Sequence, residues 1–320
     1  MNKANFYKAF EDRFRGSRDL ILSRLQQYQP YVQPLLEYCP NATAVDLGCG
    51  RGEWLQLLQQ WGFSARGVDQ DVDMVNTCKT IGLMAEQGDI LEFLSAISNE
   101  SVAVVSAFHV AEHLETSLLF DVVTECLRVL RPGGIFILET PNPENLVVGA
   151  CNFYIDPTHL HPLPPLFSSF LVEYIGFFHQ KILRLNSHLN PEKNQCPTLL
   201  DVLTGVSPDY AVIAQKKGSA AILNRLNHIF LVEAGFSLHF LANRYQECNY
   251  SKETNKPGTT VTEASLISRD LYLDRLWGVN VIGHVSASIG LGTAARNLVS
   301  QIVAIGIPVQ IFDLDPGLGR

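Results

Sequence analysis

Two histidines four residues apart are the side chains best suited to moving a proton near neutral pH. His109 follows an apolar run that predicts a buried strand, and His113 would lie one helical turn further on if a helix begins there. We predict that both are catalytic, with His109 as the general base. His113 could instead only hydrogen-bond its own loop. A His-x-x-x-His pair with Glu112 could also hold a metal, but we assign no metal site.

Three glycines at alternate positions, Gly48, Gly50 and Gly52, separate a short apolar run from an amphipathic one. The pattern predicts a strand, a turn and a helix, in which the backbone can close around a flat ligand. Asp69 ends the next apolar run, where nucleoside-binding α/β units place the carboxylate that accepts from ribose hydroxyls. The glycine pattern that binds a nicotinamide dinucleotide has its third glycine one position later, which speaks against a dehydrogenase. A dehydrogenase nevertheless stays open as an alternative enzyme class.

Alternating strand and helix patterns must position these residues. We expect strands over residues 42–47, 65–69, 102–109, 134–139, 179–185 and 209–216, and a further strand ending at 87–90. We expect helices over 5–38 with a break at Pro30, over 53–61 and over 166–177. Residues 139–145 are polar and rich in proline, and they predict a loop rather than sheet interior.

The motifs resemble those of class I S-adenosylmethionine-dependent methyltransferases from residue 42 to about residue 216. The resemblance rests on Asp-Leu-Gly-Cys-Gly-Arg-Gly at 46–52, Gln-Gly-Asp-Ile at 87–90, Val-Ala-Glu-His-Leu at 110–114 and Leu-Arg-Pro-Gly-Gly at 130–134. It implies an α/β fold with a Rossmann-like seven-stranded sheet whose last two strands form an antiparallel hairpin at the edge. It also implies S-adenosyl-L-methionine as cofactor.

The same resemblance implies which residues bind the cofactor. Asp69 would accept from the ribose hydroxyls and Asp89 from the adenine amino group. The predicted cofactor-binding residues are Asp46, Gly48, Cys49, Gly50, Asp69, Gln70, Asp89, Ile90 and Phe108.

Residues 152–165 carry many side chains that can bond hydroxyl groups, with Phe153 and Tyr154 available to stack on a sugar ring. The alternative is a rigid surface loop shaped by its prolines. The phrases at 6–17 and 152–159 resemble methyltransferases of bacterial surface-polysaccharide clusters, which implies a sugar or glycan acceptor. The predicted substrate-binding residues are Tyr154, Asp156, His159 and His161. In that resemblance a basic residue would be more usual at the position of His161.

The N-terminal segment, residues 1–40, is predicted to form a helical cap on the cofactor pocket. Its arginines at 13, 15 and 18 could offer a guanidinium to an anionic group. Alternatively, they pair with Glu11, Asp12 and Asp19 on a solvated face.

Composition narrows the partners and the location. The formal net charge of −8 argues against a nucleic-acid substrate, because such affinity rests on neutralising phosphates. Seven scattered cysteines with no Cys-x-x-Cys pair predict neither disulfides nor zinc, as in a reducing compartment. The charged N-terminal stretch predicts no signal peptide, and no apolar run is long enough to span a bilayer. We therefore expect a cytoplasmic protein without an integral membrane segment.

Three domains are expected. Residues 1–217 would form the methyltransferase domain, and residues 218–270 a helical connector with a polar linker. The apolar face of the connector would bury itself on its own domain or in a homodimer. Residues 271–320 look like the βαβ start of a two-Rossmann-domain glycosyltransferase, with Gly290, Gly292 and Arg296 in a second glycine loop. This fragment is too short to act by itself.

The function predicted from these features is O-methylation of a sugar hydroxyl during surface-polysaccharide synthesis. One alternative is a non-catalytic cofactor-binding scaffold for a fused glycosyltransferase, although such a scaffold would not need His109, His113 and His159. A second alternative is an O-methyltransferase acting on a small molecule.

Overall fold

The computed structural model describes residue 13 and residues 16–189, 196–231, 234–254, 279–283 and 309–313. The chain divides into two compact units, Met1–Cys248 and Asn249–Arg320. The described part of the first unit is a seven-stranded sheet covered by helices on both faces.

The strands of the first unit alternate with helices along the chain. The strands are β1 (Thr43–Leu47), β2 (Ser64–Asp69), β3 (Met84–Gln87), β4 (Val102–Phe108), β5 (Leu130–Pro141), β6 (His179–Leu185) and β7 (Asp209–Gln215). The helices up to β5 are α1 (Arg18–Leu25), α2 (Gln29–Val32), α3 (Glu53–Trp61), α4 (Val72–Thr80), α5 (Ile90–Ser95) and α6 (Thr116–Val129). The later helices are α7 (Leu146–Ala150), α8 (Pro165–Ile175), α9 (Leu199–Thr204), α10 (Ala220–Leu231) and α11 (Leu238–Thr254). Short 3-10 helices cover Gln26–Tyr28, Gln33–Glu37, Ala111–His113 and Asn152–Ile155.

The strand order is β3-β2-β1-β4-β5-β7-β6, with β7 antiparallel to both of its neighbours. The other pairs are parallel. From β1 the chain moves outward to β2 and β3, then returns across the sheet to β4 beside β1. Ligands of open α/β sheets bind at the carboxyl ends of the strands where this direction changes. The predicted seven-stranded sheet with an antiparallel hairpin at its edge is confirmed.

The core lies on both faces of the sheet. In β5, Phe136 and Leu138 face a cluster that includes α5, α6 and α8, whereas Ile135 and Ile137 face the opposite cluster. That second cluster contains Leu25 of α1 together with buried residues of α3 and α10. Because successive side chains of a strand point to opposite faces, a central strand covered on both sides is apolar throughout.

The predicted loop at 139–145 is wrong at its beginning. β5 continues through Glu139, Thr140 and Pro141, all three buried. The strand continues because β7 pairs with it along its whole end, Glu139 opposite Ala211 and Pro141 opposite Asp209. The polar side chains of Glu139 and Thr140 are tolerated in this buried strand end because they form hydrogen bonds with Tyr28 and Glu112, respectively.

The described part of the predicted N-terminal helix is more broken than the sequence pattern indicates. In its described part, α1 begins after the N-cap Ser17, and 3-10 turns interrupt the chain before β1. The two prolines at positions 30 and 34 begin new short segments, because proline fits the first turn of a helix. Residues 1–12, 14 and 15 lie outside the described residues, and Arg15, Glu11 and Asp12 with them.

The predicted connector shares the core of the first unit. Ile222 and Leu226 of α10 are buried against the sheet. Phe236 and Leu241 pack on Val202 of α9, which lies in the insertion between β6 and β7. A homodimer through this segment remains a prediction. No helix among the described residues is long and apolar enough to cross a membrane.

A disulfide joins Cys196 of this insertion to Cys248 of α11, so the expectation of seven unpaired thiols is wrong. The two cysteines are 52 residues apart in the chain. Packing of α11 on the insertion brings them together, and a sequence pattern does not show that contact.

In the second unit the described residues form two strands, β8 (Val279–Gly283) and β9 (Val309–Asp313). They pair in parallel, which requires a crossover between them. The predicted glycine loop with Gly290, Gly292 and Arg296 lies outside the described residues, as does the linker beyond Thr254.

Candidate active site

The glycine loop connects β1 to α3 at the carboxyl edge of the sheet. Gly48 and Gly50 adopt positive φ angles of 66° and 51°. At Gly48 a β-carbon would lie 2.5 Å from Cγ2 of Val110, which follows β4. The loop therefore has its shape because no side chain stands at Gly48, and it is in direct contact with the loop that carries His109.

Asp69 at the end of β2 is held against this glycine loop. Its Oδ2 accepts a hydrogen bond from the Gly50 N–H at 2.8 Å, and its Oδ1 accepts one from the Asp71 N–H at 2.9 Å. Each carboxylate oxygen can accept a further bond, so a ribose diol could be bound here. The exposed Gln70 follows, and its carbonyl accepts from Gln87 Nε2 at 3.1 Å.

Asp89 is the N-cap of α5, beyond β3. Its Oδ1 accepts from the backbone N–H groups of Leu91 and Glu92 at 2.8 and 3.1 Å. Both bonds use the same oxygen, which leaves Oδ2 for a donor such as the adenine amino group. Ile90 next to it is buried.

Three predicted cofactor residues lie beneath the glycine loop. Asp46 is buried and accepts from Ser106 Oγ at 2.7 Å, which ties β1 to β4. The buried Cys49 donates its backbone N–H to the Val68 carbonyl at 3.0 Å. Phe108 packs edge-on against Tyr28 and Trp54, each with ring centroids 5.3 Å away. In the structure these three side chains support the loop from inside the fold, and their contact with cofactor stays a prediction.

His109 is held between two buried glutamates. It has a positive φ of 55°, and its backbone N–H donates to the Glu139 carbonyl at 2.9 Å. Its Nδ1 lies 3.2 Å from Glu112 Oε1 and its Nε2 lies 3.4 Å from Glu139 Oε1. Tyr28 donates its hydroxyl to Glu139 Oε2. The side chain of His109 is 46% exposed, so it forms part of the site wall.

This arrangement favours a protonated imidazole. Although the side chain is partly exposed, the loss of water around the ring would by itself lower the pKa of His109, but the hydrogen bonds to Glu112 and Glu139 raise that pKa well above its ordinary value. Burial likewise raises the pKa of Glu112, and the contact with His109 overcomes this and lowers it. Burial raises the pKa of Asp209, which also adjoins His109 and Glu139. A general base at His109 would first have to lose a proton, and its role remains a prediction.

The sequence patterns missed Tyr28, Glu139 and Asp209 as members of this site. Glu139 was predicted as the junction between the fifth strand and the loop after it, with no role in the site, although its position at the end of an apolar run matches that of Asp69 and His109. Tyr28 comes from a segment 111 residues earlier, and nothing in the sequence indicates that contact.

His113 and His159 are brought together by the loop after α7. Their rings meet edge to face, with centroids 4.7 Å apart. The loop is fixed by the Leu160 N–H, which donates to the Glu112 carbonyl at 2.8 Å. His159 Nδ1 lies 2.7 Å from the Phe153 carbonyl oxygen, and so bears the proton of a neutral ring. Burial lowers the pKa of His113.

The remaining predicted acceptor residues differ in accessibility. Tyr154 is 61% exposed and available to a ligand. Phe153 is buried under the His159 ring, so the prediction that it stacks on a sugar is wrong. Asp156 Oδ1 accepts from the backbone N–H of Thr158 at 2.8 Å, and its Oδ2 lies 4.0 Å from His159 Nε2. The half-buried His161 has a buried Nε2 with no hydrogen-bond partner in the described part of the chain.

Arg18 connects the N-terminal cap to the glycine loop. Its guanidinium donates to the Arg51 carbonyl at 2.8 Å and to Gln56 Oε1 at 2.7 Å, while Arg51 donates back to the Gly16 carbonyl at 3.2 Å. The acidic partner of Arg18 is Glu53, whose Oε1 lies 3.9 Å from the guanidinium, rather than the predicted Asp19. Arg18 fastens α1 to the loop.

The fold and the residues at the carboxyl edge of its sheet are those of a nucleoside-binding α/β protein. Comparison with known proteins indicates which family of such proteins it resembles. Residues 45–138 match the family described as Methyltransferase domain. A crystal structure of a SAM-dependent methyltransferase from Archaeoglobus fulgidus is 32% identical and superposes with a TM-score of 0.58, covering 66% of this chain and 100% of that one.

Two curated relatives are similar to part of the chain. A probable S-adenosylmethionine-dependent methyltransferase of Mycolicibacterium smegmatis is 30% identical over 154 residues, 48% of this chain and 58% of the relative. A ubiquinone biosynthesis O-methyltransferase of Methylococcus capsulatus is 32% identical over 104 residues, 31% of this chain and 43% of the relative. The chain thus spans about half the length of the curated relatives it matches.

The chain belongs to the class I S-adenosylmethionine-dependent methyltransferases. The residues present fit that cofactor, because a loop without side chains at Gly48 and Gly50 lies beside the Asp69 carboxylate, and Asp89 makes its N-cap bonds through Oδ1 and so keeps Oδ2 for a donor. The pattern suits a nucleoside without a phosphate, since these are acceptor groups rather than cations.

Proposed function

We propose that the protein transfers the methyl group of S-adenosylmethionine to a hydroxyl oxygen of a sugar or glycan acceptor. The cofactor supplies a methyl group on a sulfonium, whose carbon–sulfur bond breaks as the acceptor oxygen bonds to carbon and the electron pair stays on sulfur. The observation that carries the proposal is the group of His109, Glu112, His113 and His159 beside the glycine loop. These side chains can bind and orient a hydroxyl group and accept its proton.

The sugar acceptor is supported by the exposed polar and aromatic groups next to this cluster. Tyr154 can stack on a sugar ring, while Asp156 and His159 can bond its hydroxyls. The resemblance of residues 277–312 to the start of a glycosyltransferase is consistent with action on the same glycan, in surface-polysaccharide synthesis. The cytoplasm, where S-adenosylmethionine is made, is the expected location.

A second candidate is an O-methyltransferase for a small molecule with an apolar part. The Methylococcus relative is named for ubiquinone biosynthesis. Apolar side chains are also exposed on α7, which precedes the acceptor loop in sequence, and on α9, which contacts α7; they are Leu146, Val147, Leu199 and Leu200. Such side chains would suit a hydrophobic tail.

The test is transfer of labelled methyl from the cofactor by the purified full chain. We would offer a surface-polysaccharide fraction and, separately, a phenol that carries an apolar tail. Label recovered as an O-methyl sugar after acid hydrolysis supports the first candidate, and label on the phenol supports the second. Cofactor binding without transfer to any acceptor would contradict both and favour the scaffold.

The matched control for this assay is Gly48→Ala. It changes the shape of the glycine loop without substituting any acceptor residue, so transfer by that variant should vanish together with cofactor binding.

A further inference from the structure

Glu112, His113 and His159 form a compact cluster of groups that can ligate a metal. One carboxylate oxygen and one ring nitrogen of each histidine lie within 4.8 Å of one another. The carboxylate of Glu112 is fully buried, and the side chain of His159 is 13% exposed. His113 is half-buried, so the cluster is not fully enclosed.

The separations are close to those of a coordination sphere. His159 Nε2 lies 3.9 Å from Glu112 Oε1. Two ligands each about 2.1 Å from a tetrahedral Zn²⁺ lie roughly 3.4 Å apart. Closing that gap is a matter of side-chain adjustment.

The outer contacts hold the ligands in the orientation that a metal requires. His159 Nδ1 is occupied by the Phe153 carbonyl oxygen at 2.7 Å, so the lone pair of a neutral ring is on Nε2, facing Glu112. His113 Nδ1 lies 3.3 Å from the Thr158 carbonyl oxygen. Thr140 Oγ1 donates to the other oxygen of Glu112 at 3.0 Å. Metal-binding histidines and carboxylates commonly make such bonds through the atom that does not touch the metal.

Glu112 Oε1 already lies 3.2 Å from His109 Nδ1, so the unfavourable contact that remains is the one between this carboxylate and His159 Nε2. An imidazole lone pair directed at a buried carboxylate is unfavourable unless a proton or a cation lies between them. The neighbouring cluster of His109, Glu139 and Asp209 offers only one imidazole, and its carboxylates accept hydrogen bonds from Tyr28 and Asn186.

We propose that Glu112, His113 and His159 bind a divalent first-row transition metal cation, such as Zn²⁺ or Mn²⁺, at the acceptor side of the site. Two imidazoles and one carboxylate are a donor set for these ions rather than for Ca²⁺ or a fully hydrated Mg²⁺. Three protein ligands leave positions open for water or an acceptor hydroxyl.

The catalytic role of the cation rests on the proposed methyl transfer. Binding of the cation to the three side chains does not depend on that function. A hydroxyl bound to the cation loses its proton to solvent water more readily, and its oxygen keeps the electron pair that bonds to the methyl carbon. The metal would then assist the deprotonation of the acceptor hydroxyl, which we predicted for a histidine base.

The test is metal binding by the full chain after treatment with a chelator. Co²⁺ is titrated with its visible ligand-field absorption as readout, and Zn²⁺ is titrated by calorimetry. We expect one equivalent per chain. Glu112→Gln, His113→Ala and His159→Ala should each weaken binding by about 100-fold or more. His228→Ala, which removes an exposed histidine of α10 outside the cluster, should bind as the parent does.

Circular dichroism checks that each variant is folded. If Glu112→Gln fails to fold, His113→Ala decides, because that side chain is half-buried and its loss leaves no buried charge. Absence of saturable binding, or equal affinity in the parent and the His113 and His159 variants, would overturn the proposal. Cofactor affinity is measured in the same chelated sample. Metal binding without cofactor binding would support the metal site while contradicting the proposed function.

Discussion

Tyr28 donates its hydroxyl to the buried carboxylate of Glu139, which joins the N-terminal segment to the end of β5. Tyr28 is fully buried, and burial followed by the Glu139 charge raises its pKa well above the ordinary value, so the hydroxyl stays a donor. Tyr28→Phe would leave one oxygen of Glu139 without this donor. We expect the free energy of unfolding to fall by about 1–3 kcal/mol in denaturant titrations.

Tyr38→Phe is the matched control for that variant. Its hydroxyl donates to the Ala221 carbonyl at 3.2 Å on the surface, and its loss should change stability by less than about 0.5 kcal/mol. Equal effects of the two variants would show that the buried bond contributes no more than the exposed one.

Asp69→Asn should weaken binding of S-adenosylmethionine by roughly 10- to 150-fold, because a bond to a charged acceptor contributes about 1.5–3 kcal/mol. The change removes the charge that accepts from Gly50 and Asp71 while keeping the side-chain volume. Calorimetry measures it. Asp73→Asn, at an exposed position in the first turn of α4, is the control and should bind normally. Unchanged affinity in Asp69→Asn would remove this carboxylate from the cofactor site.

Gly48→Ala should lower stability and abolish cofactor binding. The variant would hold a non-glycine residue at φ +66°, which costs about 1–2 kcal/mol, and would place its β-carbon 2.5 Å from Val110. Gly82→Ala separates the two effects. Gly82 also has a positive φ, of 79°, but no atom lies within 4 Å of an added β-carbon. If both variants bound cofactor alike, close approach of Val110 would not shape the loop.

His109→Ala should lower turnover by roughly 10²- to 10⁴-fold with little change in cofactor affinity. The histidine contacts Glu112 and Glu139 rather than the groups that fit the nucleoside, so its loss affects the transferring end of the site. Labelled-methyl turnover and calorimetry are compared on the same preparations. If this variant turned over normally and His113→Ala lost turnover, His113 rather than His109 would be the general base.

Five thiols should react in denaturant before reduction and seven after it, because Cys196 and Cys248 are paired in a chain of seven cysteines. A thiol-specific chromophore gives the count. Cys248→Ser should lower the free energy of unfolding by at most about 4 kcal/mol, the chain-entropy value for a loop of this size. Cys151→Ser, which removes an exposed unpaired thiol, is the control. Seven reactive thiols without reductant would mean that the pair is open in solution.

Local patterns predicted those elements whose signals lie within one segment. Both ends of α3 follow from the glycines before it and after it, and β6 has the bounds that its apolar alternation indicates. The end of β5 could not be predicted, because Thr140 and Pro141 have the composition of a loop and become strand only through β7.

The sequence predicted individual residues of the site but not the contacts between them. His113 and His159 were both recognised, but their contact depends on the turn after α7 and on the bond from Leu160 to Glu112. Tyr28 was missed for the same reason, since long-range contact leaves no periodic signal.

The reciprocal bonds between Arg18 and the Arg51 carbonyl, and between Arg51 and the Gly16 carbonyl, make the cap and the glycine loop thermodynamically linked. Linkage is reciprocal: the free energy by which docking of α1 strengthens ligand binding at the loop equals the free energy by which the bound ligand stabilises the docking of α1. Limited proteolysis at the peptide bonds preceding α1 should therefore slow as cofactor saturates the protein, and removal of residues before Arg18 should raise the cofactor's dissociation rate.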